Sequence, residues 1–304
     1  MPSPKQEGCS YVTGAVRYAD LVYFGLVTDE MASHKLDHSL FVEWDGGVWR
    51  GSNLAPVKWT TVGATVVNVP SQQALFLGYW GEVLCLGSGD VHEEKIQSAL
   101  GSPAERGPMR GIRSIDGKAY AVGMYRQVYR RDSSNVWTCI DQAVRPQAQE
   151  GRVVSFETID GFSAQEIYAA GRQGEIWGSD GRDWNKFDSP TNLILTNICC
   201  AGNETAYICG QRGTLVRGRY DRWEIIEQSV TEEDFWGIAW YDGKLYLSTM
   251  RFVYTLEDGN LKQVEFGGDV PETCFHLSAA DGVLWSIGAK DVFSYDGSKW
   301  TRVD

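Results

Sequence analysis

The sequence has few basic residues and no long apolar run. Among its 304 residues, 28 Lys and Arg stand against 40 Asp and Glu, which gives a formal net charge of −12 at pH 7. Proteins bind nucleic acids largely by neutralising phosphates with basic side chains, so this balance argues against nucleic acid as a partner. No run approaches the roughly 18 apolar residues that a membrane-spanning helix needs, so we expect no membrane association.

Cysteine and histidine are sparse and scattered as well. The seven cysteines are an odd number placed within predicted strands, which argues against a disulfide framework. The neighbours Cys199 and Cys200 would point to opposite faces of a strand, and the four histidines are too dispersed for a metal cluster. The first residues lack the basic start and apolar core of a secretory signal. We therefore expect a reduced, cytoplasmic protein with buried thiols and neither metal nor cofactor.

Common catalytic motifs are missing from the sequence. A Gly-x-Ser-x-Gly nucleophile elbow, a His-Glu-x-x-His zinc motif, a phosphate-binding Gly-x-x-x-x-Gly-Lys-Ser/Thr loop and a dinucleotide fingerprint are all absent. Acidic residues are plentiful, but whether two of them are spaced as a glycosidase pair depends on the fold. We expect a protein without enzymatic activity.

What the chain does contain is one phrase repeated along its length. An apolar or aromatic residue is followed, three residues later, usually by Gly, then by a polar turn and a second apolar run. The clearest copies begin at Tyr168, Tyr207 and Trp285. The fourth positions of all copies are Gly25, Gly78, Gly123, Gly171, Gly210, Thr249 and Gly288. Seven copies spaced by roughly 40–50 residues are typical of four-stranded propeller blades.

The alternation of apolar and polar residues within each copy favours strands over helical repeats. We predict an all-β fold, a single seven-bladed β-propeller of four-stranded antiparallel blades that spans residues 1–304. The predicted blades are approximately 10–54, 55–106, 107–149, 150–190, 191–228, 229–267 and 268–304. In the first blade, the predicted strands are Val12–Val16, Leu21–Val27, Ser39–Trp44 and Val48–Ser52. Because residues 299–303 already supply the outer strand of the last blade, we expect the ring to close without strand exchange.

Turns that contain Asp and lead into Trp recur in the predicted blades. Asp180 precedes Trp184 in this way, and Asp296 precedes Trp300. An Asp side chain accepts hydrogen bonds from the amides of its own turn while the indole packs between blades, so both residues have a structural explanation. These turns resemble degenerate Asp-box repeats, and the glycine phrase is similar to propellers of the BNR and photosystem-assembly-factor type.

Sialidases share this blade pattern, and their family site is a test of what the resemblance implies. That site uses an arginine triad, an acid and a Tyr-Glu pair, usually with an Arg-Ile-Pro phrase near the start. The present chain has no Arg-Ile-Pro, and its first arginine is Arg17. The WD-type signature is also missing, since Trp44-Asp45 stands without a Gly-His partner. The resemblance therefore implies a propeller without sialidase chemistry.

Two acidic segments are candidate partner-binding surfaces. The first acidic segment, residues 28–38, is an enlarged loop that carries Asp29, Glu30, His34 and Asp37. The second acidic segment, residues 231–236, carries Glu232, Glu233, Asp234 and the aromatic pair Phe235 and Trp236. Long loops are frequently functional, and aromatic anchors are enriched at interface hot spots. The alternative is that both segments are solvated loops, with the aromatic pair in the core at the start of an inner strand.

The acidic charge favours a basic protein partner, because a negative field speeds the encounter with a positive surface. We expect a noncatalytic protein-binding propeller, most simply a bacterial immunity protein, inhibitor or adaptor that covers a basic toxin or enzyme. Two other functions stay open. A carbohydrate-binding or glycan-cleaving propeller would use aromatics and carboxylates at its channel mouth, and an assembly factor would hold a constitutive partner within a larger complex.

Overall fold

Seven four-stranded antiparallel sheets make up the fold, so the predicted seven-bladed propeller is confirmed. The computed structural model describes residues 2–51, 56–147 and 154–304. The first three blades contain β1–β4 (Cys9–Tyr18, Leu21–Thr28, Leu40–Asp45, Val48–Gly51), β5–β8 (Thr61–Val67, Gln73–Gly78, Glu82–Gly87, Asp90–Lys95) and β9–β12 (Met109–Ile115, Lys118–Gly123, Gln127–Ser133, Val136–Cys139). The next two contain β13–β16 (Phe156–Ser163, Glu166–Gly171, Ile176–Ser179, Trp184–Phe187) and β17–β20 (Leu195–Cys200, Ala206–Gly210, Leu215–Arg219, Arg222–Ile225). The last two contain β21–β24 (Gly237–Tyr241, Lys244–Ser248, Val253–Glu257, Asn260–Gln263) and β25–β28 (His276–Ala280, Val283–Ile287, Val292–Tyr295, Trp300–Arg302).

The first strands of the blades form the inner ring. Neighbouring first strands contact one another from β1 through β5, β9, β13, β17 and β21 to β25, and β25 contacts β1. Each sheet is contiguous in sequence, so the ring closes without strand exchange. At the closure, the amide of Tyr11 donates to the carbonyl of Ala289 at 3.0 Å. The predicted blade boundaries at 54/55 and 149/150, and the predicted strand end at Ser52, lie outside the described residues.

The hydrophobic core is divided into seven seams, each shared by two neighbouring blades. A blade is apolar on both of its faces, so it buries each face against a different neighbour. Cys199 and Cys200, adjacent on β17, therefore enter the seams on the two sides of the fifth blade. All seven cysteines are free thiols.

Strand direction gives the ring two distinct faces. In an antiparallel four-stranded blade, the loop between the second and third strands emerges at the same end as the connection to the next blade. We call this end the connector face, and the opposite end, which carries the other two hairpins of each blade, the turn face. The described helices are short: α1 (Asp29–Ser33) and α2 (Pro103–Arg106) lie on the connector face, beside brief 3₁₀ turns. No helix in the described ranges is long and apolar enough to cross a membrane.

In three copies of the repeat, the glycine is required by the incoming connection of its own blade. A Cβ on Gly171, Gly210 or Gly288 would collide with a carbonyl oxygen of the segment that enters the blade. The sixth blade has Thr249 at this position instead. Its side-chain oxygen accepts hydrogen bonds from the amides of Arg251 and Phe252, at 3.2 and 3.0 Å, and so closes the same turn differently.

The Asp turns have the geometry that the sequence predicts. Asp180 accepts hydrogen bonds from the amides of residues 182 and 183, and Asp296 accepts them from residues 298 and 299, all within 2.9 Å. Trp184 is buried at the seam and donates from its indole to the carbonyl of Ile140, at 3.0 Å, in the preceding connection. Trp300 is also buried and stacks on Tyr295. These turns and indoles are therefore structural.

Candidate partner-binding face

The first acidic segment joins β2 to β3 on the connector face. It folds into the single helical turn α1, which Thr28 caps by accepting a hydrogen bond from the amide of Met31 at 3.4 Å. His38 ends the segment as a buried residue: Nε2 accepts from the amide of Thr28, and Nδ1 donates to the carbonyl of Leu36, both at 2.8 Å. The cap and this histidine hold the loop in one shape.

The predicted binding residues of the first acidic segment divide into two groups. Asp29 accepts hydrogen bonds from Lys290 at 2.5 Å and from Ser10 at 2.6 Å, and these bonds lower the pKa of its carboxyl. Asp37 accepts from the hydroxyl of Thr60 at 2.7 Å. The side chains of Glu30 and His34 are exposed to solvent. All four side chains are exposed, but Asp29 and Asp37 also anchor the loop through these hydrogen bonds.

The second acidic segment lies in the connection between β20 and β21, also on the connector face. Its two aromatic residues differ: Phe235 is fully buried in the seam between the fifth and sixth blades, whereas the Trp236 side chain is 37 % exposed. The Trp236 ring lies 5.7 Å from that of Phe275 in the next connection, and its amide donates to the carbonyl of Ser248 at 2.8 Å. The alternative that the aromatic pair belongs to the core is therefore correct for Phe235, whereas Trp236 has an exposed ring.

The three acidic side chains of this segment differ in the same way. Asp234 accepts a hydrogen bond from the amide of Arg212 at 2.8 Å, and Glu233 lies 3.4 Å from the guanidinium of Arg251. Glu232 is exposed. The segment is thus fixed by its inner carboxylates and presents Glu232 and Trp236 outwards.

Apolar side chains surround the second acidic segment. Met250, in the β22–β23 loop, is 48 % exposed. Val230, just before the segment in the same connection, and Val270, in the β24–β25 connection, are also exposed. A shallow cavity of about 260 Å³ lies beside them and includes Phe252 and Phe266 in its walls. Exposed indoles among the described residues occur only on this face, at Trp80 and Trp236. An aromatic anchor within an apolar patch, surrounded by a polar rim, is typical of a protein-binding surface.

The two acidic segments share one face but do not meet, because the sixth and seventh blades lie between them. Sequence reasoning found both segments, but it did not show that half of the predicted residues are already engaged by other parts of the chain. Lys290, which holds Asp29, is 261 residues away in sequence. Such pairing depends on ring closure, so no local sequence pattern predicts it.

Sequence reasoning also missed a cluster of arginines at the connector-face mouth of the central channel. Arg110 and Arg113 come from β9 and Arg172 from the loop after β14, and they line a cavity of about 590 Å³ with Glu157. The glutamate is 3.1 Å from Nε of Arg172 and 3.5 Å from Nε of Arg110. In the same cavity, burial lowers the pKa of His276 to about 4, so this histidine is neutral at pH 7. The mouth is therefore a local positive site in an acidic protein.

A second cluster that the sequence did not predict has the composition of a metal site. Ligand atoms of Cys85, His92 and Glu94 lie within 4.8 Å of one another. Glu94, however, is held by Arg131 through two bonds of 2.6 and 3.0 Å, and burial raises the pKa of the Cys85 thiol to about 12. A cation would have to compete with a buried guanidinium and a neutral thiol, so this donor set fits a bond between blades better than a metal centre.

The closed ring of seven four-stranded sheets defines the class: this is a seven-bladed β-propeller protein. Among solved structures it is similar to YCF48 bound to D1 peptide (TM-score 0.66, 14 % identity, covering 93 % of this chain and 90 % of the other). It is also similar to YCF48 from Cyanidioschyzon merolae (TM-score 0.68, 11 % identity, 96 % and 95 % covered) and to the WD40 β-propeller domain of Doa1 (TM-score 0.65, 11 % identity, 96 % and 92 % covered). At these identities the likeness shows the fold alone.

One sequence relative is much closer to the chain. The immune protein Tsi7 of Pseudomonas aeruginosa is 55 % identical over 297 residues, which cover 97 % of each chain. The chain belongs to the family of this immune protein. No protein-family model matches it.

Proposed function

We propose that this protein is a noncatalytic immunity protein that binds a protein toxin and inhibits it in the cytoplasm. The observation that carries the proposal is the 55 % identity to an immune protein across 97 % of both chains. The sequence supplies independent support, since its acidic charge and missing catalytic motifs favour the same function.

The connector face is the surface that we assign to the toxin. Trp236 and Met250 supply an apolar anchor, and Glu232 supplies negative charge at its edge. Glu30 and His34 extend the surface on the far side of the ring. In this proposal the toxin is basic, the rigid ring covers its active surface, and the surrounding carboxylates speed association.

We further propose that the blades are degenerate Asp-box repeats. The support is the pair of Asp turns at Asp180 and Asp296, in which one carboxylate oxygen accepts two backbone amides and a tryptophan follows. This assignment concerns the origin of the repeat and is independent of the toxin.

Toxin neutralisation tests the proposed function. The tagged chain is used to capture its partner from source cells, the partner is identified by mass spectrometry, and its toxicity is measured with and without the chain. We expect growth to be restored by the wild-type chain. Truncating the exposed aromatic in Trp236→Ala should weaken the complex by about 30-fold, because the loss of a hot-spot residue costs about 2 kcal/mol or more and tryptophan is enriched at hot spots. Glu232→Lys should mainly slow association and reduce its salt dependence.

Matched controls on the turn face separate a specific effect from general damage. Tyr220→Ala removes another exposed aromatic, and Asp183→Lys reverses another exposed carboxylate. Both should bind the toxin within about twofold of wild type. A toxin that kills equally well beside a stoichiometric amount of the folded chain would contradict the proposed function. Equal binding by Trp236→Ala and Tyr220→Ala would remove the second acidic segment from the interface.

A further inference from the structure

The connector-face mouth of the channel combines positive charge with open space. Arg110, Arg113 and Arg172 line a cavity of about 590 Å³, which is large enough for several side chains. Glu157 is shared between Arg110 and Arg172, and Arg113 faces Asp160 at 3.9 Å. Three guanidiniums thus stand against two carboxylates, one of which, Asp160, has its pKa raised by burial despite the nearby Arg113. The mouth has a positive surplus inside a protein whose net charge is −12.

One of these arginines keeps a donor that no described residue uses. Nε of Arg110 is buried and makes no hydrogen bond among the described residues, although Glu157 lies 3.5 Å away. On another wall of the same cavity, the hydroxyl of Thr13 is buried and has no hydrogen-bond partner in the described chain. Arg110 and Thr13 both line this cavity, and buried polar atoms are rarely left unpaired in folded proteins, so these unpaired donors point to a ligand with acceptor atoms.

The channel mouth also has apolar walls, so its ligand should carry an apolar part. Trp236 and Phe275 lie 5.7 Å apart on its rim, and Ile112 and Ile159 are part of its lining. Guanidinium groups bind carboxylates through paired hydrogen bonds, and aromatic side chains pack against an aliphatic stem. An acidic side chain on an extended segment satisfies both requirements.

We propose that the channel mouth binds a carboxylate, and that in the complex this carboxylate is an acidic side chain of the toxin. The second part rests on the proposed function. The acidic rim of the connector face attracts a basic partner. The arginines inside this rim donate hydrogen bonds to the toxin carboxylate that lies opposite the channel mouth. A pattern of opposite charges of this kind fixes the register of an interface and rejects partners whose charges are placed differently.

A peptide pair tests the carboxylate site on the chain alone. The probes are the capped tripeptides acetyl-Ala-Glu-Ala-amide and acetyl-Ala-Gln-Ala-amide, which have nearly the same shape and differ in charge. We expect the Glu peptide to shift the indole N–H resonance of Trp236 in a saturable way and the Gln peptide to cause no saturable shift. Equal binding of the two peptides, or binding of neither, would overturn the proposal.

Variants locate the site. Arg172→Gln should weaken binding of the Glu peptide at least about tenfold, because hydrogen bonds to charged groups are strong. Glu157→Gln removes the competing carboxylate and should tighten binding, an effect that a misfolded variant could not produce. Arg182→Gln, an exposed arginine on the turn face, is the matched control and should bind as wild type does. A loss equal in Arg172→Gln and Arg182→Gln would reject the mouth as the site.

The same variants applied to the toxin complex decide the source of the carboxylate. Arg172→Gln should weaken the complex at least about tenfold, while Arg182→Gln should leave it unchanged. If the Glu peptide binds at the mouth but Arg172→Gln does not affect the toxin complex, the carboxylate does not come from the toxin and that part of the proposal fails. If the wild-type chain neutralises no toxin, the proposed function fails, and the peptide titration still decides the carboxylate site.

Discussion

Two seams of the same ring are held by different chemistry. Between the second and third blades, Glu94 and Arg131 form an ion pair in which both side chains are fully buried. The indole of Trp137 donates to the same carboxylate at 3.1 Å, and the hydroxyl of Ser134 does so at the same distance. Four polar side chains from two blades therefore meet in the middle of an otherwise apolar seam that includes Tyr129.

The closing seam between the seventh and first blades is mostly aromatic. Trp285 lies 5.9 Å from Phe24 and 5.1 Å from Trp44, and Tyr11 lies 5.9 Å from Trp49. The indole nitrogen of Trp285 and the hydroxyl of Tyr11 are buried without a hydrogen-bond partner among the described residues. Aromatic packing takes the place of a buried ion pair here, since the Lys290–Asp29 pair that also crosses the closure is exposed. Among the described residues two buried polar atoms of this seam are unsatisfied, against Nη1 of Arg131 in the ion-paired seam.

The comparison shows that blade geometry does not dictate one kind of bond between blades. Aromatic side chains bury a large area in any orientation that fits, whereas a two-point guanidinium–carboxylate pair holds its partners in one relative position. A buried ion pair adds little net stability but makes the loss of either partner costly. The two seams should therefore respond differently to mutation and to pH.

Breaking the buried pair should have the largest effect. Glu94→Gln leaves the guanidinium of Arg131 without its counter-charge in an apolar seam, and we expect the free energy of unfolding to fall by about 3–5 kcal/mol. Urea unfolding followed by tryptophan fluorescence measures this change.

The double variant Glu94→Leu/Arg131→Met is the control for that experiment. It replaces both charges by apolar groups of similar length, so it should be more stable than Glu94→Gln. A double variant less stable than the single one would mean that the attraction between Glu94 and Arg131 itself stabilises the seam. The two seams would then differ in how strongly they bind their blades together.

Acid should weaken the ion-paired seam. Burial acts to raise the pKa of Glu94, but the hydrogen bond from Arg131, with others, outweighs it and lowers the pKa to about 2. The folded pKa is thus below the unfolded value of about 4.5. The stability contributed by ionised Glu94 is present above pH 4.5 and is lost as the pH falls towards 2.

Wild type and Glu94→Gln should accordingly differ most in free energy of unfolding at pH 7, and by less at pH 3. Unfolding curves of both proteins at the two pH values measure the difference. A gap that stays constant would show that Glu94 does not titrate in this range.

The fold was predictable because its signals are local. The copies at Tyr168, Tyr207 and Trp285 each contain the strand alternation and the turn within about ten residues. The number of copies along the whole chain, seven, equals the number of blades. The Asp turn at Asp180 is equally local, since its carboxylate bonds to amides two and three residues later.

The contacts that hold the blades together could not be predicted in the same way. Glu94 and Arg131 are 37 residues apart and lie on different blades, so their pairing depends on how the two sheets twist against each other. The arginines of the channel mouth converge only because β9 and the loop after β14 approach the same axis. The sequence could not show that Trp236 is exposed and Phe235 buried, for a similar reason. Adjacent residues of an irregular connection do not alternate between two faces as the residues of a strand do.

Removing the hydroxyl of one tyrosine in each seam should give the smallest of the expected differences in stability. Tyr129, in the ion-paired seam, has its hydroxyl 2.8 Å from the carbonyl of Gly101 and 2.9 Å from the side-chain oxygen of Gln127. Tyr11, in the closing seam, has a buried hydroxyl without a partner in the described chain. We expect Tyr129→Phe to lower the free energy of unfolding by about 1–2 kcal/mol, and Tyr11→Phe to leave it unchanged or raise it slightly.

Both substitutions remove one oxygen atom from a buried ring, so their apolar burial is matched and only hydrogen bonding differs. The measurement is urea unfolding of the two variants beside wild type. Equal losses would mean that the hydroxyl of Tyr11 is hydrogen-bonded in solution, for example to a buried water, because removing an unsatisfied polar group has no bond to break. The closing seam would then be a hydrated one, and the contrast would lie in what satisfies its polar atoms rather than in whether they are satisfied.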